Sequence, residues 1–330
     1  MSATGVSVVV CCYNSADRLP QTIRHLAIQR VSPHVNWEVI VVDNASTDDT
    51  GKVAKQEWAK HGCSASFAVL YEEKAGLSNA RNCGIQAAAF DLLIFCDDDN
   101  WLNQDYIETG YSIMDKHPQV GALGGETAPV AEIALPGWFR GAKSNYAIGS
   151  QAERSGDVTS RLYLWGCGLV VRKEPYLQAF AKFPSVLTGR KAHQLTSGED
   201  SELCMRLIMM GYRLYYSEQL KLQHYIPVSR LNEEYSDRLM DGFVSAHQIL
   251  RIYAKLIVLR SSNPASEKPG FFKQIAKILL KRSGMIKRWN IDEDVLNLFL
   301  STGLRLGPIP GDIIAIKQFS NRHPNKILID

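Results

Sequence analysis

The sequence has few cysteines and no arrangement of them that would build a disulfide framework or a zinc ribbon. Its seven cysteines are scattered over 330 residues, at positions 11, 12, 63, 83, 96, 167 and 204, and none belongs to a C-x-x-C pair. Disulfide-rich secreted domains carry even numbers of cysteines in short chains, so the pattern excludes that class. We expect a protein of the reducing cytoplasm.

The sequence also lacks a long apolar run and a signal-like N-terminus. No stretch approaches the roughly 18 uninterrupted apolar residues of a membrane-spanning helix, and residues 1–30 contain no basic segment followed by an apolar one. We therefore expect neither secretion nor an integral membrane segment. With 45% hydrophobic and 22% charged residues the composition is that of a globular protein, and disordered and collagen-like proteins are excluded.

Two glycine-rich phosphate-binding motifs are missing as well. No G-x-G-x-x-G follows the first apolar run, which argues against a nicotinamide dehydrogenase, and no G-x-x-x-x-G-K-[ST] occurs, which argues against a P-loop ATPase. An enzyme that binds a pyrophosphate without either loop needs another group for it, such as a divalent cation.

Short β-branched apolar runs alternate with segments of helical spacing through the first hundred or so residues. The pattern predicts strands at 6–12, 37–42, 67–71 and 92–96, and helices at 19–30, 49–61 and 76–89. Such alternation predicts an α/β fold with a mostly parallel, Rossmann-like sheet covered by helices on both faces.

The pattern changes after residue 125. Residues 126–160 are rich in glycine, proline and aromatic residues, which predicts a long functional loop. We further predict a strand at 162–171 interrupted at 165–168, a helix with Ser197 as N-cap that ends at Gly211, and strands at 212–216 and 220–225. A long amphipathic helix begins near Leu239.

Polar residues follow three of the predicted strands where each strand ends. Tyr13 and Asn14 follow the first strand, Asp43 ends the second, and an Asp97-Asp98-Asp99 triplet follows the fourth. Ligands of an open parallel sheet bind beyond the carboxyl ends of its strands, so we expect these residues to line one crevice. The triplet suits Mg²⁺ or Mn²⁺ together with substrate phosphates, although a solvated acidic turn would have the same sequence.

Two further sites in the sequence carry candidates for a general base and for a metal ligand. Glu199 and Asp200 lie in the first turn of a predicted helix, where the helix dipole favours an ionised carboxylate that can act as a general base. A simple pair of capping acids is the alternative. His224 is a candidate metal ligand, or else a partly buried histidine without a ligand.

Five blocks of the sequence together resemble the family 2 glycosyltransferases, which are inverting enzymes of the GT-A fold that use nucleotide-diphosphate sugars. The blocks agree in order and spacing across residues 5–230: 8–14 (VVVCCYN), 39–48 (VIVVDNASTD), 76–84 (GLSNARNCG), 97–100 (DDDN) and 198–203 (GEDSEL). The resemblance implies a GT-A catalytic domain, here followed by a helical C-terminal extension. Cys11-Cys12 departs from the residues usual before Tyr-Asn in the family, so base contacts there are expected through the backbone.

The resemblance also implies a role for individual residues. It implies that the nucleotide sugar is bound by Cys11, Tyr13, Asp43, Arg81, Asp97 and Asp98, and that a divalent cation, Mn²⁺ or Mg²⁺, is bound by Asp99 and His224. Asp200 would be the catalytic base. The acceptor side of the cleft would hold Trp138, Trp165, Gly166 and Glu199.

From this resemblance we expect a transferase that moves a sugar from a nucleotide-diphosphate sugar, a UDP-sugar by preference, to an acceptor hydroxyl in bacterial surface polysaccharide or glycoconjugate assembly. Residues 1–125 would form the nucleotide-sugar and metal half, 126–230 the acceptor half, and 231–330 a basic helical extension. A sugar-phosphate nucleotidyltransferase is an alternative, but it would have no use for the block containing Asp200. A non-catalytic nucleotide-sugar binding protein is the other.

The basic character of the chain belongs to its C-terminal part. From residue 241 onward there are 14 Lys and Arg against 7 Asp and Glu, a difference of +7, although the whole chain carries only +3. Residues 268–289 contain seven basic residues and no acidic one, spaced as on a helix with an apolar face, which suits an anionic membrane surface. A helix face packed on the catalytic domain is equally compatible, while no motif supports nucleic-acid binding. We expect a cytoplasmic protein, peripheral on the inner face of the membrane if this segment binds lipid.

Overall fold

The computed structural model describes residues 3–187, 197–261, 293–303, 309–323, 327 and 329. Within them the chain forms one nine-stranded mixed sheet. The strands are β1 Ala3–Cys12, β2 Trp37–Asn44, β3 Ser66–Glu72, β4 Phe90–Asp97, β5 Asn100–Leu102, β6 Val120–Ala131, β7 Gly156–Asp157, β8 Leu169–Arg172 and β9 Arg213–Ile226.

The order of the strands places the ends of β1 and β4 at the middle of the sheet. The order is β3-β2-β1-β4-β8-β6-β9-β5, with β7 pairing β9 off this path. Strands β1 to β4 are parallel, with Cys11 opposite Val42 on one side and Asp97 on the other. Strand β8 runs antiparallel to both β4 and β6, whereas β6 and β9 are parallel. The carboxyl ends of β1 and β4 therefore lie side by side at the middle of the sheet.

Helices cover both faces of this sheet. They are α1 Leu19–Ala27, α2 Thr50–Ala59, α3 Leu77–Ala87, α4 Tyr106–Lys116, α5 Phe139–Ala142, α6 Lys173–Phe180, α7 Glu199–Met209, α8 Glu233–Ser261, α9 Glu293–Thr302 and α10 Gly311–Arg322. Three 3₁₀ turns occur at Lys143–Tyr146, Thr159–Arg161 and Val228–Arg230. The α/β architecture predicted from the alternating pattern is confirmed.

Side-chain alternation in the central strand explains the two cores. Val8 and Val10 of β1 pack on one face with Leu19 and Ile23 of α1, whereas Val9 packs on the other face with residues of α3, α7 and α8. Successive residues of a strand point to opposite faces, so a continuous apolar run marks a strand buried on both.

Two predictions for the middle of the chain are wrong in part. The predicted strand at 162–171 is reduced to β8, because Leu162 has a left-handed backbone (φ 69°) and Gly168 does also (φ 67°), which turn the chain out of the sheet. The predicted loop at 126–160 begins as strand instead, since β6 continues to Ala131 beside β9.

The start of α7 also differs from the prediction. The helix is preceded by Gly198 in a left-handed conformation (φ 102°), and Ser197 is not the N-cap; its buried Oγ has no hydrogen-bond partner among the described residues. A Cβ on Gly198 would lie 2.8 Å from Ala246, so only glycine fits where α7 meets α8. The predicted strands at 212–216 and 220–225 are one strand, β9, whose register with β6 shifts between Gly124 and Glu126.

The long helix α8 packs against α7 and the sheet. Tyr253 and Ile257 are completely buried, in the same cluster as Leu203 and Leu207 of α7. By length and composition alone α8 could cross a membrane. The sequence predicts no such segment, because it contains no long uninterrupted apolar run. A helix buried in the core of a protein can have the same length and composition. The basic segment 268–289 lies outside the described residues.

Candidate functional site

The carboxyl ends of β1 and β4 open into a cavity of about 930 Å³, a size suited to a nucleotide-sized ligand. Its walls come from the chain after β1 and β4, from the N-termini of α3 and α7, from the loop at 161–167, from the end of β9, and from α8. Of the residues assigned roles from the sequence, eleven line it: Cys11, Tyr13, Arg81, Asp97, Asp98, Asp99, Trp165, Gly166, Glu199, Asp200 and His224.

Asp98, in the middle of the triplet, holds the loop after β1. Arg18 donates to both of its carboxylate oxygens, from Nε to Oδ1 at 2.9 Å and from Nη2 to Oδ2 at 2.7 Å, and Ser15 Oγ also donates to Oδ2. Thr22 Oγ1 donates to its backbone carbonyl at 2.8 Å. Asp98 is thus engaged within the protein, and it ties the turn after β4 to α1.

Asp99 lies between Arg230 and His224. Arg230 Nη1 donates to its Oδ2 at 2.7 Å, and His224 Nε2 lies 3.5 Å from its Oδ1, although the residue is only 4% exposed. Burial would raise the pKa of Asp99, but His224 and Arg230 outweigh it and hold that pKa well below its usual range. Burial would likewise lower the pKa of His224, yet the Asp99 carboxylate raises it above its ordinary value.

Asp99 and His224 are ligand types that a divalent cation takes, but both oxygens of Asp99 accept from protein donors in this structure, Oδ2 from Arg230 and Oδ1 from Asn100 Nδ2 at 3.0 Å, so a cation would have to displace one of them. Asp99 and His224 supply one carboxylate and one imidazole, and the ring of His224 is oriented by Nδ1, which lies 2.9 Å from the carbonyl of Tyr146. The described residues contain no group of three or more metal-ligating side chains, so phosphate oxygens and water would have to complete the shell. Mg²⁺ bound through one or two protein ligands and phosphates has such a shell.

Asp200 lies in the first turn of α7 and is held by Arg81 of α3. Arg81 Nη1 donates to Asp200 Oδ1 at 2.7 Å and lies 3.7 Å from Glu199 Oε1. The Arg81 guanidinium also stacks 5.1 Å from the ring centroid of Phe95. Among the described residues only Arg81 donates a hydrogen bond to Asp200, and the Asp200 side chain is 23% exposed in the cavity.

Gly166 lies directly against the Asp200 carboxylate. A Cβ built on Gly166 would overlap both carboxylate oxygens, so this position admits glycine alone without moving Asp200. The next residue toward the N-terminus, Trp165, is fixed by Gln151, whose Oε1 accepts from the Trp165 amide at 2.8 Å. The Trp165-Gly166 segment and Asp200 therefore pack as one unit in the cavity wall.

Two of the residues predicted for the site do not line the cavity. Asp43 accepts from the amide of Ser46 at 3.3 Å and lies beside Gly51 at the start of α2. Trp138 packs on Phe139 and Tyr146, with ring centroids 6.0 and 6.5 Å away. Arg81 does line the cavity, but its charge is directed to Asp200. Cys11 is half-buried in the cavity wall, and desolvation raises its pKa to about 12, whereas Tyr13 is 47% exposed at the rim.

The structure adds residues that sequence patterns did not single out. Arg18 and Arg230 pair with two of the three triplet aspartates, and Arg161 reaches the cavity from the turn before Trp165. Helix α8 contributes Leu239, Phe243 and further residues to the wall. Arg230 follows the candidate ligand His224 by six residues, and this nearness is the sequence signal that could have drawn attention to it.

Comparison with known proteins identifies the family. The model of the family described as glycosyl transferase family 2 matches residues 7–176, which is 170 of the 330 residues. The chain belongs to glycosyltransferase family 2. The family and enzyme class expected from the five sequence blocks are thereby confirmed, and the nucleotidyltransferase and non-catalytic alternatives are set aside.

Individual relatives share only part of their length with this glycosyltransferase. Glycosyltransferase GlyA of Streptococcus pneumoniae is 33% identical over 121 residues, which cover 36% of this chain and 16% of GlyA. AglE of Haloferax volcanii is 26% identical over 216 residues, 65% of each chain. TarS of Staphylococcus aureus, a poly(ribitol-phosphate) β-N-acetylglucosaminyltransferase, is 29% identical over 111 residues, 34% of this chain and 19% of TarS.

Solved structures share the fold. The crystal structure of TarS residues 1–349 in complex with UDP has a TM-score of 0.54 and 18% identity, and the match covers 97% of this chain and 88% of that one. The complex with UDP-GlcNAc has a TM-score of 0.54 and 19% identity, covering 91% and 76%. The GT-A fold, with its helical C-terminal region, is confirmed.

Proposed function

We propose that this family 2 glycosyltransferase moves a sugar from a UDP-sugar to a hydroxyl of a saccharide or lipid-linked acceptor, with inversion at the anomeric carbon. The observation that carries the proposal is that one cavity joins the Asp97-Asp98-Asp99 turn to the Asp200 carboxylate. A donor diphosphate at the first and an acceptor hydroxyl at the second would lie on opposite sides of the transferred sugar. The UDP and UDP-GlcNAc complexes of TarS, which has the same fold, support the choice of donor.

Residues 1–125 would bind the donor. Cys11 and Tyr13 line the cavity at the end of β1, where the nucleotide base would lie, and Asp97 lines it at the end of β4, where the ribose would lie. Asp98 acts through its bidentate contact with Arg18, which fixes the loop after β1. The family resemblance assigns base contacts to Asp43 and Arg81 as well; their side-chain partners in the structure are Ser46 and Asp200.

Asp99 and His224 would hold Mn²⁺ or Mg²⁺ together with the donor diphosphate. When bound, the cation would neutralise the charge that develops on the leaving UDP. Arg230 is placed to share that task, because its guanidinium already lies against Asp99 in the same part of the cavity. A fixed arginine beside a leaving phosphate stabilises the transition state without having to reorganise.

Residues 126–230 would bind the acceptor, and Asp200 would remove the proton from its hydroxyl. Arg81 occupies Oδ1 and orients the carboxylate, which leaves Oδ2 for the incoming hydroxyl. As the hydroxyl oxygen attacks the anomeric carbon from the face opposite UDP, the C–O bond to the diphosphate breaks, Asp200 takes the proton, and UDP leaves with the bonding electrons. Glu199, Trp165 and Gly166 would form the acceptor wall.

The setting of the reaction is part of the proposal. Relatives include TarS and the putative teichuronic acid biosynthesis glycosyltransferase TuaG of Bacillus subtilis, which supports a role in bacterial surface polysaccharide assembly. Such a role suits a cytoplasmic enzyme that is peripheral on the inner face of the membrane, with residues 231–330 as the extension and the basic segment 268–289 as its lipid contact. Within that extension α8 also forms one wall of the cavity.

Nucleotide binding tests the donor side directly. We expect calorimetry with UDP, GDP and dTDP in Mn²⁺ to show the tightest binding for UDP, and removal of the metal with EDTA to weaken it about tenfold or more. Asp99→Asn should reproduce the EDTA result in the presence of Mn²⁺, while Asp237→Asn, an exposed aspartate of α8 outside the cavity, should bind as wild type. Absence of nucleotide binding under all conditions would contradict the proposal.

A further inference from the structure

Arg161 occupies a constrained position at the acceptor end of the cavity. It ends the 3₁₀ turn Thr159–Arg161, and the next residue, Leu162, has a left-handed backbone with φ of 69°, unusual for a branched side chain. This reversal brings the rings of Tyr163 and Trp165 onto the Arg161 guanidinium, at 4.3 and 5.7 Å from their centroids. Backbone strain of this kind persists where the surrounding structure imposes it, often at functional sites.

A single buried residue, Gln151, accepts hydrogen bonds from both Arg161 and Trp165. Gln151 is 3% exposed; its backbone carbonyl accepts from Arg161 Nη1 at 2.7 Å, and its side-chain Oε1 accepts from the Trp165 amide. Its Nε2 donates to the carbonyl of Gly125 at 3.1 Å, which secures it to β6. The guanidinium is therefore held in place before any ligand arrives, as a preorganised binding group must be.

Arg161 differs from three other arginines of the cavity in its charged partners. Arg18, Arg81 and Arg230 are neutralised by Asp98, Asp200 and Asp99, at 2.7 Å in each case. Among the residues that the structure describes, no carboxylate lies within ion-pair distance of Arg161, and its buried Nε has no hydrogen-bond acceptor. A cation lining a cavity with donors left over is placed to bind an anionic oxygen group.

The location of Arg161 points to the acceptor as the source of that group. It precedes Trp165 and Gly166 in one loop, and Gly166 touches the carboxylate of Asp200. The donor diphosphate belongs to the other end of the cavity, beside Asp99. We propose that Arg161 binds a phosphate or carboxylate of the acceptor next to the reacting hydroxyl, so that the enzyme selects anionic acceptors; the inference rests on the proposed transferase function.

Three probes with one sugar core test the proposal: glucose 6-phosphate, glucuronate and glucose. Each is titrated into the full chain saturated with UDP and Mn²⁺, so that the phosphate probe cannot occupy the diphosphate position. For wild type we expect one or both anionic probes to bind about tenfold or more tightly than glucose, the usual gain from a charged hydrogen bond. The stronger of the two identifies the anion as phosphate or carboxylate.

Variants of Arg161 distinguish binding from a structural role. Arg161→Gln should lose the preference for the anionic probes and bind glucose and UDP as wild type does. Arg161→Lys keeps the charge without the bidentate geometry of a guanidinium and should retain part of that preference. Arg154→Gln, an exposed arginine outside the cavity, should behave as wild type. Equal binding of the three probes to wild type, or an unchanged preference in Arg161→Gln, would overturn the proposal.

The experiment distinguishes a wrong donor assignment from a wrong assignment of Arg161. A wrong donor assignment appears as a lack of UDP binding, whereas the Arg161 assignment is read from the ratio of anionic to neutral probe affinity. Titrations repeated without UDP and Mn²⁺ keep that ratio measurable if UDP does not bind. A preference for the anion that persists there and disappears in Arg161→Gln would support the role of Arg161 even if the donor were not a UDP-sugar.

Discussion

Arg81 of α3 donates to Asp200 of α7 across the cavity, with Nη1 2.7 Å from Oδ1. The contact joins two residues that lie 119 positions apart in sequence, one of which is the proposed base. The pair lies in a part of the structure where Arg81 is almost completely buried and its pKa is raised, since burial, which would lower it, is outweighed by Asp200 and Glu199. Arg81 is therefore a fixed cation that holds Asp200 in one orientation.

Replacing Arg81 should impair turnover more than nucleotide affinity. In Arg81→Gln the carboxylate of Asp200 loses its fixed partner and remains close to that of Glu199. Misplacement of a catalytic group by about 1 Å can cost on the order of 100-fold in rate, so we expect kcat to fall about 10- to 100-fold. Steady-state kinetics together with a melting curve check this; a kcat within a factor of two of wild type would contradict the positioning role.

Replacing Gly166 should disable the base without disturbing the donor. The added methyl group of Gly166→Ala would overlap the Asp200 carboxylate and displace it. We expect transfer to fall at least about 100-fold while UDP affinity stays within a factor of about two. The matched control is Gly141→Ala, where the added Cβ would have no atom within 4 Å. Full activity of Gly166→Ala would mean that Asp200 is not in its working position here.

Arg230 should contribute to donor binding. Arg230→Gln removes the arginine partner of the buried Asp99 and with it a positive charge from the part of the cavity where we propose that the diphosphate binds. We expect UDP to bind about tenfold more weakly in Mn²⁺, the scale of one charge-assisted hydrogen bond. Calorimetry measures the effect, with the exposed Arg140→Gln as control. An unchanged UDP affinity would restrict Arg230 to a structural role.

A buried ionic network should anchor the helix that carries Asp200. Arg206 of α7 donates to Glu202 at 2.8 Å and to the carbonyls of Ala179, Phe183 and Pro184, and Tyr253 of α8 donates to Glu202 at 2.7 Å. Glu202 is completely buried. Removing one partner of such a pair leaves an uncompensated buried charge, so Arg206→Met should lower the free energy of unfolding by about 3–5 kcal/mol.

Denaturant unfolding provides the comparison for this network. Lys52→Met breaks a solvent-exposed pair with Asp49 at 4.0 Å and should change the free energy of unfolding by no more than about 0.5 kcal/mol. If Arg206→Met were as stable as Lys52→Met, the network would not contribute to the stability of α7 and α8.

The cysteine at the end of β1 should be unreactive at neutral pH. Burial raises the pKa of Cys11 to about 12, so only about one thiol in 10,000 is ionised at pH 8, and the thiolate is the reactive form. We expect slow alkylation by iodoacetamide in the native protein, with a rate that rises about tenfold per pH unit between pH 7 and 9. Mass spectrometry after digestion measures it. Fast, pH-independent labelling of Cys11 would contradict the buried environment.

The parallel half of the sheet could be predicted from sequence because its signals are local. Runs such as Val6 to Cys12 are continuous and apolar, and each is followed by a polar turn, so β1 to β4 are found within a few residues of their predicted bounds. The contacts that β8 and β9 make are not local. Leu162 leaves the strand pattern through a left-handed backbone that the conformational preferences of leucine do not predict. Strand β5 is three residues long and is defined by its pairing with β9, in which Asn100 lies opposite His224.

The site divides in the same way. The strand pattern predicts a crevice lined by Asp97 and Asp99, whereas the role of Asp200 is implied by the family resemblance. The sequence blocks therefore indicate three acidic residues that do line the cavity. They do not reveal that Arg81 faces Asp200, because that contact depends on how α3 and α7 pack. Nor do they reveal Arg161, whose position in the cavity wall is set by its hydrogen bond to Gln151 and by the turn at Leu162. Tertiary packing, and not local preference, decides where these arginines lie.

The most direct test of the proposed reaction is the release of UDP from a panel of UDP-sugars with Mn²⁺, measured for wild type, Asp200→Asn and the exposed control Asp237→Asn. We predict metal-dependent release from one donor by wild type and by Asp237→Asn, increased by the acceptor. We predict that Asp200→Asn binds UDP as wild type does but loses the acceptor-dependent release at least about 100-fold, because its amide cannot take the proton. Acceptor-dependent release by Asp200→Asn at the wild-type rate would contradict the assignment of Asp200 as the base.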